Sequence, residues 1–237
     1  MTFTRSLALA AALACSAPLL ALAQDEPAPA DPTAELREKL TKVLHVDPFV
    51  SKDKTVSLSY VLAERKESAD FKSKGFDKCE VNTVHVRGRD KVTGLEVGAG
   101  SRGPGRALHR LTWTGDFELK LRVQVLVSPQ SASFCLLLGK KVGVLWGQRL
   151  VKPRGFKPLT KEGKLDRTVF KEGRVVELHV VRKETKLTVK CDGLLTDERE
   201  FRRGELDRIQ IGFMAFNTRL VINNWTFTGQ VVEKKIK

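Results

Sequence analysis

Hydrolysis of a glycosidic bond takes two carboxyl groups at a set separation, one as acid and one as base or nucleophile. The chain places acids at alternate positions, as a pair on one strand would need, in two segments. Asp116 and Glu118 flank Phe117, and Glu198 and Glu200 flank Arg199. All four are catalytic candidates, and each pair also has a plainer reading. Lys120 and Arg122 continue the first row as a charge ladder on the wet side of a sheet, whereas Arg199, Arg202 and Arg203 make the second an ion-pair cluster. Neither pair is assigned as catalytic. Saccharide binding asks for something different, flat aromatics beside planar polar groups, because a sugar ring stacks through its apolar face while its hydroxyls need partners. Trp113, Trp146 and Tyr60 lie outside the obvious core phases or at strand ends, and with Arg122 and Arg149 they are the ligand-binding candidates. The alternative is that Trp113 and Trp146 fill the protein interior, as Trp225 is expected to do.

A second kind of chemistry is electrostatic. The segment from Arg149 to Arg167 holds Lys152, Arg154, Lys157, Lys161 and Lys164 against Glu162 and Asp166, with Pro153, Pro158 and Phe156. A stiffened basic loop of this kind suits an acidic polysaccharide or lipopolysaccharide, with salt-dependent binding; it reads equally as a solvated surface loop. Nucleic acid is disfavoured because no recognition helix is evident. The four histidines, His45, His85, His109 and His179, fall in no metal-binding spacing, so no metal and no cofactor is expected. Gly98 to Gly103 superficially matches a dinucleotide fingerprint but joins strand to strand, which rejects it.

The elements that must position these residues follow an export segment. Arg5 precedes an apolar stretch from Leu7 to Leu22, and Ala21-Leu22-Ala23 offers small residues for cleavage after Ala23. The stretch is about 16 residues, short of the about 20 that span a bilayer, so residues 1–23 read as a signal peptide of a secreted or periplasmic protein. Lipidation at Cys15 is the lesser alternative. Residues 24–48 read as an acidic linker and a short amphipathic helix, with Thr33 as its cap and Leu36, Leu40, Val43 and Leu44 on one face. Of 42 Lys and Arg and 28 Asp and Glu, four bases and six acids precede residue 49, leaving 38 against 22 in residues 49–237, a formal +16. Such a field draws in polyanions. Cys79, Cys135 and Cys191 admit one disulfide with a buried thiol or three small core residues.

From Thr55 onward the apolar rhythm has period two. Phe117, Leu119, Leu121, Val123 and Val125 alternate with acids, bases and Gln124, which buries one face of a strand and wets the other. The same alternation recurs at 176–180, 187–189 and 209–213, with further strands at 56–62, 81–86, 95–97, 134–138 and 142–146. In the last strand Leu220 and Ile222 share one phase while Trp225 and Phe227 share the other, so a bulge at Asn223-Asn224 is predicted. With turn signals such as Asp192-Gly193 between strands, the pattern is an all-β sandwich or barrel.

Three segments add a resemblance. Gly115-Asp116-Phe117-Glu118-Leu119-Lys120-Leu121, the pair Val176–Val181 and Leu187–Gly193, and the closing pair Ile209–Phe213 and Leu220–Phe227 resemble the concanavalin A-like lectin/glucanase superfamily. Within it they are most similar to the 3-keto-disaccharide hydrolase-like domains of secreted bacterial proteins. The family's Asn-Ser-Gly segment is absent, and Pro129-Gln130-Ser131-Ala132-Ser133 stands in its place. The resemblance implies a concanavalin A-like jelly-roll sandwich of two antiparallel sheets over residues 49–237, one sheet of which offers a surface to carbohydrate. The expected function is a non-catalytic saccharide-binding or cell-envelope interaction module, with hydrolysis of a sugar or 3-keto-disaccharide linkage as the alternative.

Overall fold

The computed structural model describes residues 31–86, 91–100, 103–129, 132–139, 142–147, 157–158, 171–202 and 204–236. Helix α1 (Ala34–Val43) comes first, followed by β1 (Phe49–Val50), β2 (Val56–Tyr60), a single turn α2 (Arg65–Ser68), β3 (Phe71–Lys74), β4 (Lys78–His85), β5 (Lys91–Ala99) and β6 (Gly105–His109). Then come β7 (Trp113–Val127), β8 (Ser133–Leu138), β9 (Val142–Gly147), β10 (Lys157–Pro158), β11 (Val175–Lys183), β12 (Lys186–Cys191), β13 (Leu194–Glu200), β14 (Ile211–Phe216), β15 (Thr218–Val231) and a 3-10 turn (Glu233–Lys235). Nine strands form one sheet in the order β1-β2-β15-β7-β11-β12-β13, with β5 on β15 and β4 on β5; six form the other in the order β10-β9-β8-β14-β6-β3. Among the described pairs only β10 with β9 is parallel. The chain is an all-β sandwich of two antiparallel sheets.

The long pair β7 and β15 makes the middle of the nine-stranded sheet, in register from Arg219 against Val127 to Val231 against Trp113. Phe117, Leu119, Leu121, Val123 and Val125 of β7 all point inward and are buried. The register of β15 shifts between Ile222 and Asn224, which is the predicted bulge. One extra residue reverses the phase, so Leu220 and Ile222 before it and Trp225 and Phe227 after it are all buried. Gly94 of β5 lies against this bulge: a Cβ there would stand 2.5 Å from the Ile222 carbonyl oxygen and 3.0 Å from the Asn223 Cα. At the β12–β13 hairpin, Asp192 and Gly193 have φ of 49° and 79°, the pair of positive values that a two-residue turn matching the twist of its strands requires.

Helix α1 buries Leu36 and Leu40, and Leu44 just after it joins them, in the same core as the sheets, and the compact unit runs from Pro32 to Lys237. Thr33 sits at the start of the helix but makes no side-chain cap. Its hydroxyl instead accepts from the Arg37 guanidinium at 3.3 Å. Cys79, Cys135 and Cys191 are free thiols, and burial pushes Cys79 and Cys191 up to about 11.

Just beyond the helix, a buried polar chain ties it to both sheets. The Asp70 carboxylate, with no exposed surface, accepts from the backbone N–H of His45 at 3.0 Å, from its Nδ1 at 2.7 Å, and from the Tyr60 hydroxyl at 2.9 Å. The Leu111 N–H donates to Nδ1 of His109 at 3.2 Å, so the His109 proton is assigned to Nε2, which donates to the Tyr60 oxygen at 2.7 Å. Every link is satisfied, which a buried polar group requires. Burial holds the His109 imidazole down at about 4, against the opposing pull of Asp70.

Two outcomes follow. A lowered His value means that the unfolded chain binds the extra proton first, so stability is full above pH 6.5 and is lost as pH falls from 6.5 toward 4. The total is about 3 kcal/mol, and thermal melts of His109→Gln are expected to show a flatter pH dependence over that window than the wild type. Gly94→Ala is expected to cost about 1–3 kcal/mol by overpacking the bulge, read by urea denaturation.

Candidate functional site

Alternation puts Asp116, Glu118, Lys120 and Arg122 of β7 on the outer face of the nine-stranded sheet, because the intervening residues are claimed by the core. The antiparallel register brings β11 alongside, Glu177 against Arg122 and His179 against Lys120. On the other flank the bulge sets Asn224 against Arg122 and Thr226 against Lys120. Two hollows result. One of about 370 Å³ is lined by Lys120, Arg122, Glu177, His179, Asn224 and Thr226, among others. The other, of about 600 Å³, includes Asp116, Glu118, Lys183, Thr228 and Gln230. Consecutive outward residues of β7, Glu118 and Lys120, divide the two.

Within this face the carboxylates have defined partners. Glu118 Oε1 accepts from Lys120 Nζ and from His179 Nε2, each at 2.8 Å. The Lys120 hydrogen bond, opposed by partial burial and reinforced by His179, holds Glu118 below the usual carboxylate value. Asp116 Oδ1 accepts from the Glu184 backbone N–H at 2.6 Å. Arg122 Nε stands 4.0 Å from Glu177 Oε1, both side chains more than half exposed. Guanidinium, amide, hydroxyl, imidazole and carboxylate groups therefore lie within one open hollow. They can donate to and accept from several hydroxyls of one ligand, while Glu118 of the adjoining hollow, its pKa lowered, is an acceptor. Among the described residues no group of three or more His, Cys, Asp or Glu is placed to hold a metal ion.

Two of the aromatic candidates are corrected. Trp113 is 1% exposed and its ring lies 3.9 Å, centroid to centroid, from Phe227; the first residue of β7 already belongs to the inward phase. Tyr60 has no exposed surface, and its hydroxyl is spent on Asp70 and His109. Neither is available to a ligand. Trp146 has its backbone in β9, paired with Phe134, while its side chain lies outside the described residues. Lys157 is described only through its backbone pairing with Val142, and Arg149, Lys152, Arg154, Lys161 and Lys164 lie outside the described residues.

Glu198 and Glu200 do share a face, opposite Thr188 and Lys186 on β12. Both are exposed and lie on β13, the end strand of the sheet. Glu198 is paired with Lys186 at 2.7 Å, and neither acid lines the two hollows. Of the residues singled out by sequence, the face gathers Asp116, Glu118 and Arg122. Sequence reasoning missed Glu177, His179, Asn224 and Thr226. The signal for the last two was present, since a bulge at 223–224 necessarily turns Asn224 and Thr226 away from the core.

No protein-family model matches the chain, and no curated protein matches its sequence. By structure it is similar to a protein of unknown function with a galectin-like fold from Bacillus subtilis, with TM-score 0.51 and 8% identity over 73% of this chain and 96% of that one. The fold is galectin-like. The chain also resembles, at lower scores, the Emp47p carbohydrate recognition domain (TM-score 0.49, 12% identity, 74% of this chain and 95% of that one). A further likeness is to the carbohydrate-binding module CBM66 from Bacillus subtilis (TM-score 0.38, 10% identity, 67% and 94%). At these identities the likeness is one of fold.

Lys120→Met tests the electrostatics of the face. It removes the largest cause of the Glu118 shift, so the carboxyl is expected to titrate at higher pH than in the wild type, read by carbon-13 NMR of the Glu118 side chain.

Proposed function

We propose that the chain is a secreted, non-catalytic saccharide-binding module whose binding face is the outer side of β7, β11 and β15. One observation carries the reading: the hollow where Arg122, Glu177, His179 and Asn224 converge on a galectin-like sandwich. Planar groups at strand spacing suit the paired hydroxyls of a sugar ring, each fixed by packing of the alternate, inward residues. No described aromatic lines this hollow, so hydrogen bonding and not stacking supplies the affinity. The reading also takes residues 1–23 as a cleaved export signal, residues 24–48 as a spacer ending in the helix, and the ligand as an extracellular or envelope glycan.

The hydrolase alternative, including cleavage of a 3-keto-disaccharide, asks for a carboxyl kept protonated to act as an acid. Glu118 is held in the opposite direction, Glu198 is neutralised by Lys186 on an exposed edge, and Asp116 accepts a backbone hydrogen bond. These observations favour binding.

A glycan array followed by calorimetry on the best neutral oligosaccharide tests the proposal. Arg122→Ala and Asn224→Ala are expected each to weaken binding by about tenfold, in line with about 1.5–3 kcal/mol for hydrogen bonds to charged groups and somewhat less for neutral ones. Circular dichroism should be unchanged, because both side chains are exposed. Unaltered affinity in the double variant would remove this face from the binding site, and release of reducing sugar or of a 3-keto-glycoside product would favour the hydrolase.

A further inference from the structure

Another hollow, of about 740 Å³, lies away from the saccharide face and gathers four cations. Its lining takes Lys72 from β3, Arg110 from just after β6, Arg208 and Gln210 from the approach to β14, and Lys235 from the 3-10 turn near the end of the chain. Glu205 is its one acid among the described residues, and that carboxylate accepts from the Arg202 backbone N–H at 3.4 Å. The four cations are exposed, and among the described residues none of them is paired with a carboxylate. They come from four separate segments that the fold brings together. Helix-type i,i+4 pairing cannot neutralise such a set, and among the described residues no neighbouring acid pairs with any of the four.

Like charges converging on one concavity repel one another, and a concave low-dielectric wall concentrates the resulting potential. A ligand bearing sulfate, phosphate or carboxylate relieves that repulsion, and the Gln210 amide in the same hollow offers a neutral donor beside the charge. We propose that this hollow binds the anionic substituents of an acidic saccharide, separately from the outer face of the nine-stranded sheet. The choice of a saccharide as carrier rests on the function proposed above; the anion site itself rests on the four cations.

The test uses the full mature chain and dextran sulfate oligosaccharide as probe, with unsulfated dextran and inorganic sulfate as the other arms. In K72Q/R110Q/R208Q/K235Q, affinity for the sulfated oligosaccharide is expected to fall about tenfold or more, and the slope of log affinity against log salt to shrink by about 0.7 for each cation removed. R208Q/K235Q is expected to show a partial loss of the same kind, and it decides the matter if the fourfold variant does not fold. Unchanged affinity and slope in a folded variant would overturn the proposal. Inorganic sulfate competing as well, per anion, as the oligosaccharide would overturn the choice of a saccharide carrier. R122A/N224A is expected to keep its sulfate-dependent binding, so failure of the neutral-sugar reading and failure of the anion site are read separately.

Discussion

The bulge in β15 is the constraint on which both the core and the proposed binding face depend. A strand of uniform phase through Leu220 and Ile222 would turn Asn224, Thr226 and Thr228 into the core and put Trp225 and Phe227 into water. Inserting one residue at 223 instead buries all four large side chains. Burying two aromatics of that size outweighs the loss of one regular ladder position. The same insertion delivers Asn224 beside Arg122 and Thr226 beside Lys120. The chemistry of the face is thus a by-product of a packing solution, and Gly94 is part of it, since only a residue without Cβ lets β5 approach the distorted backbone.

Charge is distributed over the molecule in two different ways. On the outer face of the nine-stranded sheet, Glu118 is matched by Lys120 and His179, and Glu177 stands opposite Arg122. Charges there are matched locally, and on the proposed reading the polar groups beside them serve the hydroxyls of a neutral sugar. The hollow lined by Lys72, Arg110, Arg208 and Lys235 has no such matching among the described residues. A formal charge of +14 over the chain is therefore not a uniform coat. Among the described residues it is balanced on the outer face of β7 and β11 and concentrated in the hollow beside the 3-10 turn.

The alternation of β7, the β11–β12 hairpin and the bulge were legible because each is a local rule about which side chains the core will accept. The outward carboxylates and Arg122 came with them. Trp113 and Tyr60 were misplaced for a shared reason: both stand at the ends of their strands, where few neighbours define the phase, and both are buried by elements distant in sequence. Tyr60 is enclosed through Asp70 and His109, residues that no short-range pattern links to it. The short strands β3 and β6 were not anticipated either, and the basic hollow depends on where they bring Lys72 and Arg110. Glu177 and His179 joined the face through the register of β11 against β7, which a single-strand pattern does not contain.

The backbone of the proposed binding face is also anchored from beyond itself. Two strands share one edge of β15, with β5 along Thr218–Ile222 and β2 along Trp225–Gly229, and the bulge marks where one gives way to the other. On the β5 side, Glu96 has no exposed surface. It accepts from Arg219 of β15 and from Asn82 of β4, with Lys78 at 3.6 Å. Burial alone would raise its pKa, but these partners outweigh burial and keep it low, so the carboxylate is charged and clamps three strands together. On the β2 side, Ser57 and Thr228 hydroxyls meet at 3.0 Å, and Tyr60 fixes the strand end from within. Asn224 therefore lies between two anchored stretches of backbone. Anchored backbone on both sides fixes where the exposed Asn224 side chain is presented, and on the proposed reading such pre-organisation lowers the ordering cost of binding on a face without an aromatic platform.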